Sequence, residues 1–448
     1  MTEPYELTVA QAAAEIRAGT LSPVDLMDSL LERSRSLDPQ LNVWVNIDED
    51  AARDAAAESA RQLANGEDTG PLHGVPFGVK DIYYTEGVET TGCSKVYAGF
   101  VPDYDSTAVA LLKQAGGIML GKTVTTEFAM FEPPPTKNPW NFDRTPGGSS
   151  SGSAAGNAAR MFPIALGSQT AGSVLRPAAY TGVVGIKPTL GLVSRYGVMP
   201  VAWSLDTMGW FTRTVEDAAI VLGVLAQHDP NDDISLSTPP TDYTAALNGV
   251  RPPKIGYMHQ YFVEDAEPGV QDHVDHVVAK LMQEGAFVEE VRSPIDLHDG
   301  REAHGVVQNS EAADSHEADF AAHADDYMPS TRGVIENGMS VPATKYIQAQ
   351  TLRRDLRREL LKAVEPYDAI LTPSTLAPAP DTSTTGNPHC QWLWTTVGFP
   401  AISIPSGLSE DGLPLGIQLA SAPLDEATML SVAAWCERVL DVHLTPPV

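Results

Sequence analysis

Apolar positions recur along this chain in two rhythms, one helical and one extended, and the switches between them mark its elements. Thr8 is placed to cap a first helix, VAQAAAEIRAG, which stops at Gly19. Ser22-Pro23 opens a second, with serine at the cap and proline at the first helical position. NVWVNI at 42–47 has strand character, and 49–65 is a charged, alanine-rich helix ending before Gly66. Residues 106–117 predict a helix with Ser106 as cap and Gly116-Gly117 as stop, and IMLGKT follows as a strand. Beyond Ser173, the segments VVGIKP, GLVSR and YGVMP predict short strands separated by turns. Thr214 caps a helix ending near His228, and a polar, turn-rich loop follows. KIGYM, an amphipathic helix over 267–285 and AFVEEV form another α/β pair. In the helix over 346–365, Leu352, Leu356, Leu360 and Leu361 share one face, as packing requires. AILTP, PAISIPSG and GLPLGIQLAS predict the last strands, and DEATMLSVAAWCERVL the closing helix. This alternation argues for the α/β class. With no repeat and no long linker, the expected organisation is one domain over residues 1–448, with a more helical elaboration over about 230–360.

One stretch departs from both rhythms. Pro146 to Pro188 holds two turns rich in glycine and serine, Gly147–Ser153 and Thr170–Ser173, joined by small residues. Glycine lets a backbone approach a ligand closely, and exposed N–H groups in such turns form anion-binding concavities. The serines are therefore nucleophile candidates or simple turn formers. A second unusual feature is Lys80, inside the short apolar run Phe77–Ile82. Burial there would lower its pKa. Two plainer readings are a pairing with Asp81 and a buried stem with the ammonium in water.

Composition narrows the field. The chain has 448 residues, of which 43% are hydrophobic, enough for a large core. The net charge of −29 argues against a nucleic-acid binder and against docking on an anionic membrane surface. Cys93, Cys390 and Cys436 are far apart and odd in number, with neither a disulfide framework nor zinc spacing. The N-terminal MTEPYELTVAQ lacks the pattern of a secretory signal, and no apolar run is long enough to span a bilayer. The reducing cytoplasm is the expected compartment. His298, His304, His316 and His323 lie among acids but form no compact ligand set, so a solvated acidic helix is expected there. No metal or organic cofactor is called for.

Elimination narrows the chemistry. Neither serine turn carries a histidine for a Ser–His–Asp triad, although the fold could supply one. No G-x-S-x-G surrounds Ser173, and neither a P-loop nor a dinucleotide fingerprint occurs. A serine–lysine arrangement remains, with Lys80 as candidate base.

Four stretches then carry a family resemblance: GVPFGVKD at 74–81, the D-S-T helix start with GKT at 105–123, NPWNFDRTPGGSSSGSAAG at 138–156, and LGSQTAGSVLRPAAYTGVVGIKPT at 166–189. Together with WTTVGFPAISIPSG and GLPLGIQL, which resemble the family's closing strands, they make the chain similar to the amidase signature family over nearly its whole length. The resemblance implies a large mixed β-sheet covered on both faces by helices. It makes Ser173 the acyl-accepting nucleophile, Lys80 the base, and Ser149 the bridging serine that follows a cis peptide bond; the two serines stand 24 positions apart, as in the family. The N–H groups of Thr170, Ala171, Gly172 and Ser173 would form the oxyanion hole. Met130 resembles an acyl-pocket residue, and Phe131 and Trp394 are candidates for the same pocket, with core packing as the plainer role for the tryptophan. The expected activity is hydrolysis of a small-molecule amide, anilide or carbamate (urethane), without nucleic-acid or membrane partner, and a homodimer is expected because family members are often dimers.

Two departures qualify the match. Many family members read GSDTGGSIRQPA where this chain reads GSQTAGSVLRPA. Gln169 replaces an acid, Ala171 a glycine, and the arginine falls one place later, at Arg176, which predicts a coordinated local rearrangement. This weakens the alternative of a glutaminase component in a tRNA-dependent amidotransferase. A non-catalytic family member is the remaining alternative.

Overall fold

In the computed structural model, which describes residues 3–67, 70–249 and 251–448, the strand-forming segments assemble into one mixed sheet. Its strands are β1 (Trp44–Ile47), β2 (Pro76–Lys80), β3 (Ile118–Thr123), β4 (Ile164–Gln169), β5 (Val184–Lys187), β6 (Thr207–Thr212), β7 (Lys254–Tyr257), β8 (Phe287–Glu290), β9 (Ala369–Pro373), β10 (Ala401–Leu408) and β11 (Pro414–Ala420). The order across the 11-stranded sheet is β1-β3-β2-β4-β6-β5-β10-β11-β9-β7-β8. β2 runs parallel to both β3 and β4, and β7 is parallel to β8 and β9. The other pairings are antiparallel.

Helices cover both faces, and strand alternation assigns each side chain to one of them. Ile164 and Leu166 of β4, Met208 and Trp210 of β6, and Ile417 and Leu419 of β11 join the largest core, against the helices Val215–Leu225 and Glu426–Leu440. Their neighbours Ala165 and Phe211 join the opposite core, which holds the short helices Ser151–Ala158 and Leu175–Thr181. Further along that side lies a third cluster around Trp392, Trp394, Phe262 and Leu356.

The helix signals behave mostly as their chemistry demands. Thr8 and Gln11 form a reciprocal capping box, Ser22 accepts from Val24 N ahead of Pro23, and Thr214 accepts from Asp217 N. Ser106 occupies the cap position of Thr107–Gln114, but its buried hydroxyl makes no capping bond. Three expectations are corrected. GLVSR and YGVMP are turns, because Gly191 and Gly197 adopt φ of +85° and +76° and only Val198 makes an isolated bridge, to Tyr83. WTTVGF is not extended: Trp392–Val397 is a helical turn closed by Gly398 in the left-handed region. The helix after Thr214 stops at Leu225, short of His228. Among the described residues no helix is long and apolar enough to cross a membrane. Of the histidines in the acidic stretch, His304 is buried between Thr396 and Gln308, and His316 lies against Phe128 and Tyr327.

Candidate active site

Lys80 ends β2, wedged between β3 and β4, and is fully buried. Its Nζ donates to Ser149 Oγ at 2.7 Å and to Ser168 Oγ at 2.9 Å. Burial pushes the Lys80 ammonium down to about 7, opposed by the Asp206 carboxylate. Neither plainer reading of this lysine survives. Its ammonium does not reach water, and Asp81 turns instead toward Lys122, 3.5 Å away, while accepting from Thr91 and Cys93.

Ser149 follows a cis peptide bond from Gly148. Its serine neighbours have separate structural tasks. Ser150 Oγ donates to the Ser168 carbonyl and accepts from its N–H, Ser151 Oγ donates to the Gly147 carbonyl, and Ser153 Oγ donates to the Leu166 carbonyl. The Ser150 and Ser153 bonds fasten the first glycine turn to β4, and the Ser151 bond closes that turn on itself. That explains why so many serines follow one another: each ties a different backbone group of a tightly packed corner.

The second turn leaves the end of β4 and leads into the helix Leu175–Thr181. Gln169 organises it. Its Oε1 accepts from Val174 N at 2.9 Å and Leu175 N at 3.0 Å, and its Nε2 donates to Thr395 Oγ1 at 3.0 Å. Thr395 Oγ1 in turn donates to the Ala171 carbonyl. A carboxylate could accept the two N–H groups but could not donate to Thr395, so the neutral amide suits this frame. The four preceding N–H groups, from Thr170 to Ser173, donate to no acceptor among the described residues. A run of unengaged donors at a glycine turn is what a developing oxyanion needs. Gly172 is required by space: a Cβ there would lie 2.9 Å from Gln391 Oε1 and 3.1 Å from Pro388 Cβ.

Ser173 is 8% exposed, against 1% for Ser149, and its hydroxyl makes no hydrogen bond among the described residues. The two turns are tied together by Arg176, whose Nη2 donates to the Gly148 carbonyl at 2.6 Å and whose Nη1 donates to the Gly386 carbonyl at 2.8 Å. The arginine shifted by one place thus bridges the serine turns. Leu175, the residue before it, packs into the cluster with Trp394 and Phe262.

The three pocket candidates separate. Met130 is buried, with its carbonyl accepting from Thr126 Oγ1. Trp394 is fully buried and stacked at 6.4 Å on Phe262, a core position. Phe131 is 37% exposed and is the one of the three with an open face. Sequence reasoning passed over Ser168 and Asp206. Ser168 gave only the strand alternation of β4 as a signal, and Asp206 gave a lone acid ahead of the apolar TMGWFT. Both line a cavity of about 390 Å³ together with Met208, Tyr84, Tyr104 and Tyr196.

Comparison with known proteins gives consistent matches. The Amidase family matches residues 25–430. A glutamyl-tRNA(Gln) amidotransferase subunit from Geobacter sp. (strain M21) is 35% identical over 481 residues, covering 99% of each chain. The peptide amidase of Stenotrophomonas maltophilia superposes with a TM-score of 0.89 at 29% identity, covering 99% of both chains. A protein described in connection with a vestigial complex and the evolutionary origins of an s-triazine catabolic enzyme superposes at 0.93, with 28% identity over 99% of this chain and all of the other.

Proposed function

The chain belongs to the amidase family, whose members hydrolyse C–N bonds, and from that premise we propose that Ser173 is its acyl-accepting nucleophile, with Ser149 as proton relay and Lys80 as base. The observation that carries this reading is the wholly buried Lys80, bonded at 2.7 Å to the hydroxyl of Ser149. A lysine serves as base only when neutral, and burial brings that form within reach near neutral pH.

The steps follow from the groups present. Ser173 Oγ attacks the carbonyl carbon while its proton passes through Ser149 to Lys80. A C–O bond forms, and the carbonyl oxygen takes the negative charge. The N–H groups of Thr170 to Ser173 receive that charge; one such donor is worth about 3 kcal/mol in acyl transfer. The C–N bond then breaks as Lys80 returns its proton, through Ser149, to the leaving nitrogen. Water, deprotonated along the same route, attacks the acyl-enzyme and restores Ser173 with release of the acid. Amides, anilides and carbamates all present a carbonyl joined to nitrogen, so one route serves them. The substrate class we propose is a small amide, anilide or carbamate, with Phe131 beside its acyl part.

The neutral Gln169 and the apolar Leu175 support a free-standing hydrolase, since they replace the acid and arginine that many relatives carry. A second reading, a glutaminase component within a larger amidotransferase, is favoured by full-length likeness to glutamyl-tRNA(Gln) amidotransferase subunits, 35–37% identical to this chain. The two readings part on one experiment. Purified protein alone is expected to release nitroaniline from model nitroanilides and N-nitrophenyl carbamates, and Ser173→Ala to abolish release. Fluorophosphonate treatment followed by mass spectrometry should place the adduct on Ser173. Full activity in Ser173→Ala, or an adduct elsewhere, sinks the nucleophile. Glutamine hydrolysis that needs added partner proteins favours the second reading.

A further inference from the structure

One buried carboxylate beside the site has no part in the steps above. Asp206 immediately precedes β6, whose Thr207 lies opposite Gln169 in the antiparallel β4–β6 pair. That register sets Asp206 level with Thr170, the first residue of the second serine turn. Its Oδ1 accepts from Thr170 Oγ1 at 2.5 Å. Its Oδ2 accepts from Val201 N at 2.8 Å and Ala202 N at 3.0 Å, which hold the carboxylate in one orientation. Asp206 is 6% exposed, and among the described residues it joins no ion pair. A charge kept in such a place without a direct partner costs stability, so its retention calls for a use.

The groups around it indicate that use. Asp206 is the carboxylate whose field acts most strongly on Lys80. Arg195, which also acts on Asp206, is bound to Asp232 at 2.6 Å. The Tyr83 hydroxyl donates to the Gly167 carbonyl, and the buried Cys93 thiol is pushed up to about 12. Ser168, the second partner of Lys80, lines the same cavity as Asp206.

We propose that Asp206 is a positioning residue with two effects: it anchors the oxyanion turn through Thr170, and, lining one cavity with the Lys80 partner Ser168, it supplies the counter-charge for the ammonium formed during acylation. The inference rests on the Ser173–Ser149–Lys80 reading. Proton transfer to Lys80 creates a positive charge in the same step that puts a negative charge on the substrate oxygen. A fixed carboxylate steadies the first charge, and its bond to Thr170 keeps the donors aimed at the second. Burial pushes the Asp206 carboxyl up to about 6, the bonds from Thr170, Val201 and Ala202 partly offset this, and the group is ionised at the pH where Lys80 works.

The test compares Asp206→Asn, Thr170→Val and Thr170→Ser, with active enzyme counted by fluorophosphonate labelling. Asparagine keeps the shape and loses the charge. Without the carboxylate, Lys80 deprotonates more easily, so the acid limb of kcat/KM should move down by roughly one pH unit. The plateau kcat should fall about tenfold or more with KM little changed. Thr170→Val keeps the charge but cuts the anchor: kcat should fall while the limb stays in place, and Thr170→Ser should restore kcat. An unmoved limb in Asp206→Asn, or wild-type kcat in Thr170→Val, overturns the proposal. Ser173→Ala runs alongside. If it is inactive while Asp206→Asn leaves the limb unmoved, only the role of Asp206 falls; if it remains active, the nucleophile reading itself fails.

Discussion

Lys80 and Lys122 stand on adjacent parallel strands, with Lys80 paired in register to Thr123, the next residue after Lys122. Both side chains are fully buried, and burial pushes both ammonium groups down, to about 7 and about 8. Their surroundings differ in kind. Lys122 donates to the Tyr83 carbonyl at 2.5 Å and to Thr90 Oγ1 at 2.6 Å, and it faces Asp81 at 3.5 Å. The Tyr83 carbonyl passes no proton onward, the Thr90 hydroxyl is itself committed to the Tyr83 and Val88 carbonyls, and Asp81 is occupied by Thr91, so none of them leads to a free nucleophile. Lys80 donates to two hydroxyls, each of which can accept on one side and donate on the other. A third buried lysine makes the point sharper. Lys187 is pushed down to about 7, the same value as Lys80, yet its direct partner is the Pro188 carbonyl. A lowered pKa therefore does not single out a base in this protein. The partners do.

The contrast breaks most decisively on activity. Lys80→Met should lower kcat by about 10³-fold with the fold intact, as loss of a positioned base does. Rates against a model anilide, beside a thermal melt, check this. In the wild-type enzyme kcat/KM should rise through about 7 to a plateau, since neutral Lys80 is the working form. A flat profile from about pH 5 to about pH 9 would remove Lys80 from that role.

Lys122→Met should act on stability instead. It leaves Asp81 buried with its cation gone, a change that costs about 3–5 kcal/mol. Urea unfolding measures the loss, and adding Asp81→Asn should recover part of it. An inactive but fully stable Lys122→Met would erase the distinction between the two lysines.

A third comparison reads Lys80 through unfolding. Its folded pKa lies below its unfolded one, so the unfolded chain binds more protons between them. The burial cost is therefore full below about 7 and fades as pH rises toward the unfolded value of 10.5. Lys80→Met should be more stable than wild type by a few kcal/mol at acid pH, with the gap narrowing above neutrality. Urea midpoints across that range would show a constant gap if Lys80 were protonated throughout.

The smallest effect is expected at Thr395→Val. Valine keeps the shape and leaves Gln169 Nε2 and the Ala171 carbonyl without their hydroxyl partner, a loss of about 1–3 kcal/mol in stability on urea unfolding. A much larger loss would mean that Thr395 does more than frame the turn.

Much of this was legible along the chain. The caps at Thr8, Ser22 and Thr214 follow from side chains that reach donors two or three residues away. The strands at the C-terminal end, β9 to β11, follow from β-branched and apolar runs bounded by turn residues. β4 and β6 were harder. IALGSQ is too poor in large apolar residues to stand out, and TMGWFT follows a string of turns. Both are strands because each supplies the other with hydrogen bonds at the centre of the sheet. GLVSR and YGVMP look extended in composition, but their glycines adopt turn geometry that only packing reveals. The site divides in the same way. Gly172, the two serine turns and the lysine were visible in the sequence. Ser168, Asp206 and the bridging of the turns by Arg176 were not.

Neighbouring residues alone set the local pieces: where helices begin, where only glycine fits, and which hydroxyl, amine and amide groups were available. The tertiary structure decided what those groups became. Lys80 meets Ser149 across 69 residues and Ser168 across 88, and Asp206 reaches Thr170 across 36. A lysine's protonation depends on how much water and which charges surround it, and those are properties of the packed sheet rather than of any segment. Hydrogen-bond chemistry is carried by each residue, whereas desolvation is imposed by all of them together.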